Sequence, residues 1–332
     1  MFQIRAASLV GTCLVVGALL TACTSASSTS PTAAPASATA KPAAAATTAP
    51  AAAPASGAAP AGNLSGKLTI AGSSALQPLV DQAAKNFQTA NKDVQITVSA
   101  GGSGSGRNGA CQGTLDIGMS DVPLTAEEKT SLNCSDANQT AVAIQAFATV
   151  ANPKGPGSIK GLTKEQMQGI FSGQITNWSA VGGDNQQIVL INRLKGSGTR
   201  QNMANYLYGG DDTKFATGAS EEDNSQTVVN TVKQAPGAIS YLGIAFLSDP
   251  GLVTLGITQP DNTVLMPTHD NIATGKWPIG GPGLAITKGQ PSQLAGAFIT
   301  YMISPEFQKD PIWTNLGFIP PANAAIGNPT GQ

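Results

Sequence analysis

The sequence is short of the residues on which many enzymes and nucleic-acid-binding proteins depend. Its 332 residues include one histidine, His269, so a histidine-rich metal site is excluded and a Ser-His-Asp triad would depend on that residue alone. Lys and Arg number 18 against 19 acids, and no basic patch is present, which argues against nucleic acid. The patterns G-x-S-x-G and G-x-x-x-x-G-K-[ST] are both absent. We therefore expect a protein that is not an enzyme and uses no metal or other cofactor.

Long apolar runs are missing beyond the first 22 residues, and aromatic residues make up only 5% of the chain. Within that opening segment, Arg5 is followed by an apolar stretch that is shorter than the roughly 20 residues of a transmembrane helix, which is typical of a secretory signal. It ends in LTAC at 20–23, which resembles the lipobox of bacterial lipoproteins. We predict a lipoprotein signal peptide at 1–22 and lipidation of Cys23. The alternative is an ordinary signal peptide with a chance cysteine.

A stretch of low complexity follows this cysteine. It contains only Ala, Pro, Ser, Thr and Gly apart from Lys41 and Asn63. Such a composition cannot form a core, so residues 23–63 are predicted to be the lipidated cysteine and a disordered tether. A tether behind a lipid predicts an extracytoplasmic protein anchored to the cell membrane. Residues 64–332 remain and are sufficient for two lobes.

Cysteine is rare, and two of the four residues have an assigned place. Cys13 lies in the predicted signal peptide and Cys23 is the predicted anchor, which leaves Cys111 and Cys134. In an exported protein, two remaining cysteines form a disulfide more often than a metal pair. We predict a Cys111–Cys134 disulfide.

The first part of the folded region shows strand and helix patterns in alternation. Apolar residues recur at helical spacing from Leu76 to Phe87, and Ser73 and Ser74 stand where that helix needs an N-cap. Short apolar or alternating runs before and after it predict strands joined by glycine-rich turns, which is typical of an α/β domain with parallel strands. The predicted strands are 67–71, 94–99 and 115–118.

Further elements are predicted along the rest of the chain. Capping boxes begin helices at Thr125 and Thr163. Ser304 and Pro305 predict the start of a last helix. Apolar runs predict strands at 141–151, 187–191 and 237–243.

Three loops share one pattern, in which a strand ends, hydroxyl residues and glycines follow, and a helix begins. They are AGSS at 71–74, GGSGSG at 101–106 and GSGT at 196–199, the last of which follows Arg193. Helix N-termini offer free N–H groups and partial positive charge, glycine permits close approach, and hydroxyls add donors. Helix capping explains any single loop, but three such loops with an arginine indicate a site for a small anion.

The second loop also fits G-x-G-x-x-G, at 104–109. A dinucleotide site requires a full helix after the glycines and an acid about 20 residues further on. Only about eight residues separate this loop from the next predicted strand, and Lys129 stands where the acid should be. We therefore predict no dinucleotide cofactor.

Six segments, in their order and spacing, resemble the substrate-binding protein of bacterial phosphate ABC transporters, the phosphate-specific transport family. They are AGSSALQP, SAGGSGSG, GTLDIGMSDVPL, IFSGQITNW, NRLKGSGTR and GAISYLG, and they run through most of residues 67–245. The resemblance implies an α/β fold with the two-lobed type II periplasmic-binding-protein (Venus-flytrap) architecture and a strand hinge. Lobe 1 would comprise 64–145 and 240–332, and lobe 2 would comprise 146–239.

The same resemblance implies a monomer that binds inorganic phosphate with high affinity outside the cytoplasm and delivers it to membrane permease subunits of an ABC transporter. The alternatives are the same fold for another oxyanion, such as tungstate or sulfate, or a surface phosphatase. The phosphate-binding residues carried over by motif are Ser74, Ala75, Ser103, Asp121, Arg193, Ser197, Gly198 and Thr199.

Three features in and around this set concern charge. Asp121 is an acid expected to face an anion; an ionised aspartate can accept a hydrogen bond from the proton that phosphate keeps near neutral pH, whereas sulfate has none to give. Lys195 stands where relatives often place an acid that braces the arginine, so the orientation of Arg193 is an open question. The segment WPIGGPGLAI, from Trp277, also lacks an arginine that often follows its Pro-Ile pair.

Overall fold

The computed structural model describes residues 64–321 of the chain. The predicted signal peptide, the lipidated Cys23 and the tether lie outside the described residues. Within residues 64–321, no helix has both the length and the apolar character needed to cross a membrane. In the same range, no cluster of three or more His, Cys, Asp or Glu side chains is arranged to hold a metal ion.

The first elements form the parallel β-α-β unit that the sequence predicts. Strand β1 pairs in parallel with β2 along its whole length and with β3 near its end. Helix α1 buries Leu79, Val80 and Phe87 against them. The bounds are β1 Ser65–Gly72, α1 Gln77–Ala90, β2 Asp93–Ala100, α2 Gly102–Gln112 and β3 Ile117–Ser120.

Helix α2 corrects part of the sequence interpretation. The short distance to the next strand suggested that no full helix follows the glycines. Instead, the glycine run itself forms helix α2, which has 11 residues and begins at Gly102. Its glycines permit unusually close packing. A Cβ added to Gly106 would overlap the carbonyl oxygen of Met119 on β3, and a Cβ added to Gly118 on β3 would overlap the carbonyl oxygen of Gly106. The repeated glycines therefore bring α2 against the sheet.

Strand β4 connects the two parts of the sheet. Its first part pairs antiparallel with β11, and its last residues pair antiparallel with β8 and β9. Helix α3 precedes it and begins with the predicted capping box at Thr125. The bounds are α3 Ala126–Ser131, β4 Asn138–Ala151, β8 Ala238–Gly243, β9 Val253–Thr258 and β11 Gly280–Thr287.

The middle of the chain forms a second group of strands and helices around β8. Strand β6 pairs in parallel with both β7 and β8, and helix α5 begins where β6 ends. The capping box at Thr163 begins α4, as predicted. The bounds are β5 Gly161–Leu162, α4 Lys164–Phe171, β6 Val189–Arg193, α5 Gly198–Tyr208, β7 Ser220–Glu222 and α6 Ser225–Gln234.

The C-terminal elements return to the first part of the sheet, and here one prediction is wrong. Ser304 accepts a hydrogen bond from Phe307 N, but only a short 3-10 turn follows at Phe307–Lys309, so Ser304 and Pro305 do not begin an α-helix. The last helix begins at Ile312, directly after Pro311. The remaining bounds are β10 Val264–Leu265, α7 His269–Ala273, α8 Gln293–Met302 and α9 Ile312–Leu316.

Two large hydrophobic clusters form the interior of the described chain. One, which includes Leu79 and Phe298, joins β1–β3 to the C-terminal helices. The other, which includes Phe171 and Tyr241, lies under α4 and α5 and extends to Ile279. Strand β4 contributes to both, with Val142 in the first and Phe147 in the second. The division into lobes at 145 and 240 stays a prediction.

Candidate anion-binding site

The three hydroxyl- and glycine-containing loops lie together at the ends of β1, β2 and β6. The second and third loops touch directly, because the backbone N–H of Gly104 donates to the carbonyl of Gly196 at 2.8 Å. The first loop reaches the same place through Ser74, to which Arg193 Nη2 donates at 3.3 Å. The sequence pattern therefore identified three segments that the fold brings to one point.

Two walls enclose this point. The aspartate wall consists of residues 72–76, 101–106 and 120–122. The arginine wall consists of residues 192–202 and 222–225. Hydrogen bonds cross between them, since Thr199 Oγ1 donates to Asp121 Oδ2 at 3.4 Å and Asn202 Nδ2 donates to the Asp121 carbonyl at 3.2 Å. The two walls are therefore in contact along the loop at 196–199.

Asp121 is the buried charge of the aspartate wall, with 2% of its surface exposed. Its Oδ1 accepts a hydrogen bond from Ser73 Oγ and another, at 2.8 Å, from Gln145 Nε2. Burial raises the pKa of Asp121, while these two donors, the positive charge of Arg193 and the Thr199 hydroxyl act to lower it. Hydrogen-bond donors to both oxygens therefore offset part of the desolvation cost of the carboxylate.

Arg193 is the buried charge of the arginine wall, with 1% of its surface exposed. Its Nε donates to the Glu222 carbonyl at 3.2 Å, and Nη2 donates to the Asp223 carbonyl at 3.0 Å as well as to Ser74 Oγ. Its Nη1 is buried and has no hydrogen-bond partner among the residues that the structure describes. Burial lowers the pKa of Arg193, and nearby groups including Asp121 and Asp223 oppose that effect. One charged donor is therefore left for an acceptor from outside the chain.

This geometry answers the question that Lys195 raises. Within the described part of the chain, Arg193 is braced by the main-chain carbonyls of Glu222 and Asp223, at the end of strand β7, and not by a carboxylate. Lys195 is exposed to solvent. The Trp277 indole, at the start of the segment that lacks the arginine, is buried and donates to the Phe147 carbonyl at 3.0 Å.

The neutral members of the predicted set also lie at the walls. Ser103 is fully buried at the start of α2 and accepts from the backbone N–H of Asp121 at 3.0 Å. Ser197 caps α5, with its hydroxyl accepting from Arg200 N at 3.3 Å. Gly198 faces the opposite wall, where an added Cβ would overlap Ser103 Oγ and lie 2.7 Å from Asp121 Cβ. Ala75 is buried beside Gly243 on the aspartate wall.

The first loop differs in detail from the predicted cap. Helix α1 has Leu76 at its N-cap position and no side-chain cap, although Ser73 Oγ accepts from Leu76 N at 3.1 Å. Ser74 is not a cap for α1. Its hydroxyl lies 3.0 Å from Ser225 Oγ and accepts from Ser225 N, also at 3.0 Å, so it points across to the arginine wall.

Sequence reasoning missed Ser225, Gln145 and Asn202. Ser225 could have been found, because a strand ends at Glu222 and Asn224 and Ser225 begin α6, which repeats the other three loops except for their glycines. Gln145 lies in the middle of β4 and Asn202 one turn into α5, and nothing local distinguishes either from an ordinary polar residue. Only the fold places them against Asp121.

The predicted disulfide between Cys111 and Cys134 is present, with the two Cα atoms 5.3 Å apart. It joins α2 to the chain after α3, and both residues belong to a small buried cluster with Leu124 and Ile286. The bridge therefore fixes the end of α2, the helix whose first residues belong to the aspartate wall.

The arrangement as a whole has donors on several sides and one buried acceptor. Arg193, the serine and threonine hydroxyls and the N-termini of α2, α5 and α6 suit a small tetrahedral oxyanion. Asp121 suits an anion that retains a proton, because an ionised carboxylate can only accept. Such a site would hold an anion by charge-assisted hydrogen bonds, and the residues of the two walls include no histidine or cysteine that could act as a nucleophile or base.

Comparison with known proteins shows the class of protein to which this chain belongs. Residues 32–306 match a family model described as the PBP superfamily domain. The phosphate-binding protein PstS of Bacillus subtilis (strain 168) is 40% identical over 256 residues, which span 77% of this chain and 81% of that protein. The chain therefore belongs to the PBP superfamily and, within it, to the family of the phosphate-binding protein PstS.

Solved structures agree with this assignment. A phosphate ABC transporter substrate-binding protein from Clostridium perfringens, with bound phosphate, matches with a TM-score of 0.68 at 26% identity, covering 77% of this chain and 99% of that one. An ABC-type phosphate transport receptor from Vibrio cholerae matches with a TM-score of 0.57 at 25% identity, covering 76% and 99%. The mixed α/β, two-lobed binding-protein fold expected from the sequence is confirmed.

Proposed function

We propose that this protein binds inorganic phosphate outside the cytoplasm and delivers it to the membrane permease subunits of an ABC transporter. The observation that carries the proposal is the pairing of Arg193, which keeps a buried donor without a partner among the described residues, with the buried acceptor Asp121. The names of the relatives support it, since they are phosphate-binding and phosphate-transport proteins. The protein would act as a monomeric receptor and not as an enzyme.

Each predicted residue has a role in this proposal. Arg193 would neutralise the anion with two N–H groups, and the ionised Asp121 would accept a hydrogen bond from the proton that the anion keeps. Hydroxyl groups and backbone N–H groups would bind the remaining phosphate oxygens; these come from Ser74, Ala75, Ser103, Ser197, Gly198 and Thr199. This division favours phosphate over sulfate or tungstate, because a fully deprotonated anion would place its lone pairs against those of Asp121.

We also propose that Cys23 carries a diacylglycerol after removal of residues 1–22, so that residues 24–63 tether the binding domain to the membrane. The support is the LTAC segment at the end of the apolar stretch and the composition of the chain behind it. Mass spectrometry of protein extracted from membranes should show a lipidated N-terminal cysteine. A mature form that begins elsewhere and stays in the soluble fraction would contradict this.

A thermal-unfolding panel tests the central proposal. Purified full-length protein, dialysed free of phosphate, is unfolded with phosphate, arsenate, sulfate or tungstate. A ligand that binds only the folded state stabilises it by about 4 kcal/mol at a thousandfold excess over Kd. We expect a large shift with phosphate and arsenate and little with sulfate. A shift with tungstate or sulfate alone would assign another oxyanion, and turnover of a generic phosphate ester would support the surface phosphatase instead.

A further inference from the structure

Gln145 is a fully buried side chain whose hydrogen bonds are only half satisfied. Its Nε2 donates to Asp121 Oδ1 at 2.8 Å, while its Oε1 has no partner among the residues that the structure describes. A buried acceptor without a partner is costly, so an apolar residue of similar size would suit this position unless the amide serves another purpose. The contact that it does make is with Asp121.

The amide differs chemically from the other donors to Asp121. Ser73 donates to the same oxygen and Thr199 approaches Oδ2, but a hydroxyl can either donate or accept and therefore tolerates a protonated acid. An amide nitrogen can only donate. Rotating the Gln145 amide would place Oε1 against the carboxylate, which would favour a proton between them. The observed orientation leaves Oδ1 without a proton, and a hydrogen bond donated to a carboxyl group favours its charged form.

The geometry also separates the two carboxylate oxygens. Oδ1 is held from behind by Ser73 and Gln145. Oδ2 faces the arginine wall, near Thr199 and within 2.9 Å of a Cβ placed on Gly198. Gln145 therefore fixes the oxygen that points away from the arginine wall and leaves the other turned towards it.

We propose that Gln145 is a positioning residue that keeps Asp121 a hydrogen-bond acceptor and thereby sets the preference for an oxyanion that carries a proton. The inference rests on the proposed function, since it concerns the same site. The groups that face Asp121 are Arg193 on β6, which is the charged one, and neutral residues on the other elements. These are Ser73 before α1, Ser103 on α2, Gln145 on β4, and Thr199 and Asn202 on α5.

The test replaces Gln145 by methionine, which has similar size but no donor. Binding of phosphate and of sulfate is measured by calorimetry on the acid and alkaline sides of neutrality, and each affinity is divided by that of wild type at the same pH. Without the Gln145 amide, fewer donors would oppose the effect of burial on Asp121. The carboxylate would then take up a proton at a higher pH than in wild type. We expect phosphate affinity to fall by no more than about fivefold, with the larger loss at acid pH, and sulfate to gain relative to phosphate.

Gln139→Met is the matched control. Gln139 lies on the same strand and its Oε1 accepts from Leu124 N, away from Asp121. It should leave the phosphate-to-sulfate ratio and its pH profile unchanged. If wild type binds no phosphate, the proposed function fails; if wild type binds phosphate selectively and Gln145→Met keeps that ratio and profile, only the role of Gln145 fails.

A measurement on wild type covers the case in which Gln145→Met does not fold. The side-chain carboxyl ¹³C signal of Asp121 and the side-chain amide protons of Gln145 can be followed by NMR of phosphate-bound protein across the same pH range. We expect an ionised carboxylate and slowly exchanging Gln145 amide protons. A protonated Asp121 near neutral pH, or a freely exchanging Gln145 amide, would overturn the proposal.

Discussion

The two walls of the site each bury one charge, but they complete its hydrogen bonds differently. On the aspartate wall, Asp121 receives donors from Ser73 and Gln145 on one oxygen and from Thr199 on the other. On the arginine wall, Arg193 is held at Nε and Nη2, while Nη1 has no partner among residues 64–321. The carboxylate is satisfied by the protein itself, whereas the guanidinium keeps a donor for something else.

This difference assigns different tasks to the two walls. A buried cation with an unused donor gains most from any oxyanion, since an unsatisfied buried group is costly. A satisfied carboxylate gains little from an anion but rejects one that brings no proton. Affinity should therefore depend mainly on the arginine wall and selectivity on the aspartate wall.

Removal of the arginine should have the largest effect. Arg193→Ala should weaken the binding of phosphate, arsenate and sulfate alike, by about 2 to 5 kcal/mol, because it removes the desolvated charge that is proposed to contact the anion. Calorimetry on phosphate-free protein measures this. Lys195→Ala is the control, since Lys195 is two residues away and exposed. Selective loss of phosphate alone in Arg193→Ala would reverse the assignment of the two walls.

Removal of the disulfide should affect the stability of the aspartate wall and not its chemistry. Cys111 and Cys134 are 23 positions apart, for which the chain-entropy model predicts about 3 kcal/mol of stabilisation. The double variant Cys111→Ala with Cys134→Ala should unfold at lower urea concentration and with a steeper slope, because its unfolded chain is no longer cross-linked and exposes more surface. Its phosphate-to-sulfate ratio should equal that of wild type. A changed ratio would show that the bridge also positions Asp121.

Pushing the two walls apart should weaken the binding of every anion without unfolding the protein. A Cβ on Gly198 would lie 2.7 Å from Asp121 Cβ, on the opposite wall, and its backbone is not in the left-handed region. Gly198→Ala should therefore reduce phosphate affinity by about 1 to 3 kcal/mol, the usual cost of overpacking. Gly296→Ala on α8, where the added Cβ makes ordinary contacts, is the control. Wild-type affinity in Gly198→Ala would mean that the walls need not touch for binding.

Neutralisation of the aspartate should change selectivity more than affinity. Asp121→Asn keeps the shape of the side chain but can present an N–H group to the anion. Phosphate binding should weaken by about 1 kcal/mol or persist, while sulfate binding strengthens. The ratio of the two affinities, measured by calorimetry at one pH, reports the change. An unchanged ratio would show that Asp121 does not read the proton of the anion.

The sequence predicted those features of the fold and the site that depend on local residue patterns. Strand ends followed by Ser, Thr and Gly located three loops of the site, and alternation with helical spacing predicted the parallel strands around α1. The contacts of Gln145 and Asn202 could not be predicted, because their partner Asp121 is distant in sequence and reached only through the sheet order. The error at Ser304 has a local cause: Pro311 follows seven residues later, and the segment between forms only a 3-10 turn.

Reversal of the charge at Lys195 should have the smallest effect, although in the sequence this residue left the orientation of Arg193 open. The family resemblance implies an acid there, but in this protein the carbonyls of Glu222 and Asp223 hold Arg193 at 3.2 and 3.0 Å. An exposed charge interacts through water and is screened by salt, so Lys195→Glu should change phosphate affinity by less than about 0.5 kcal/mol. Calorimetry at low and high salt measures this, and the small difference should vanish at high salt. A gain that persists in salt would show that the introduced carboxylate braces the guanidinium directly, and that the main-chain carbonyls alone leave Arg193 incompletely oriented.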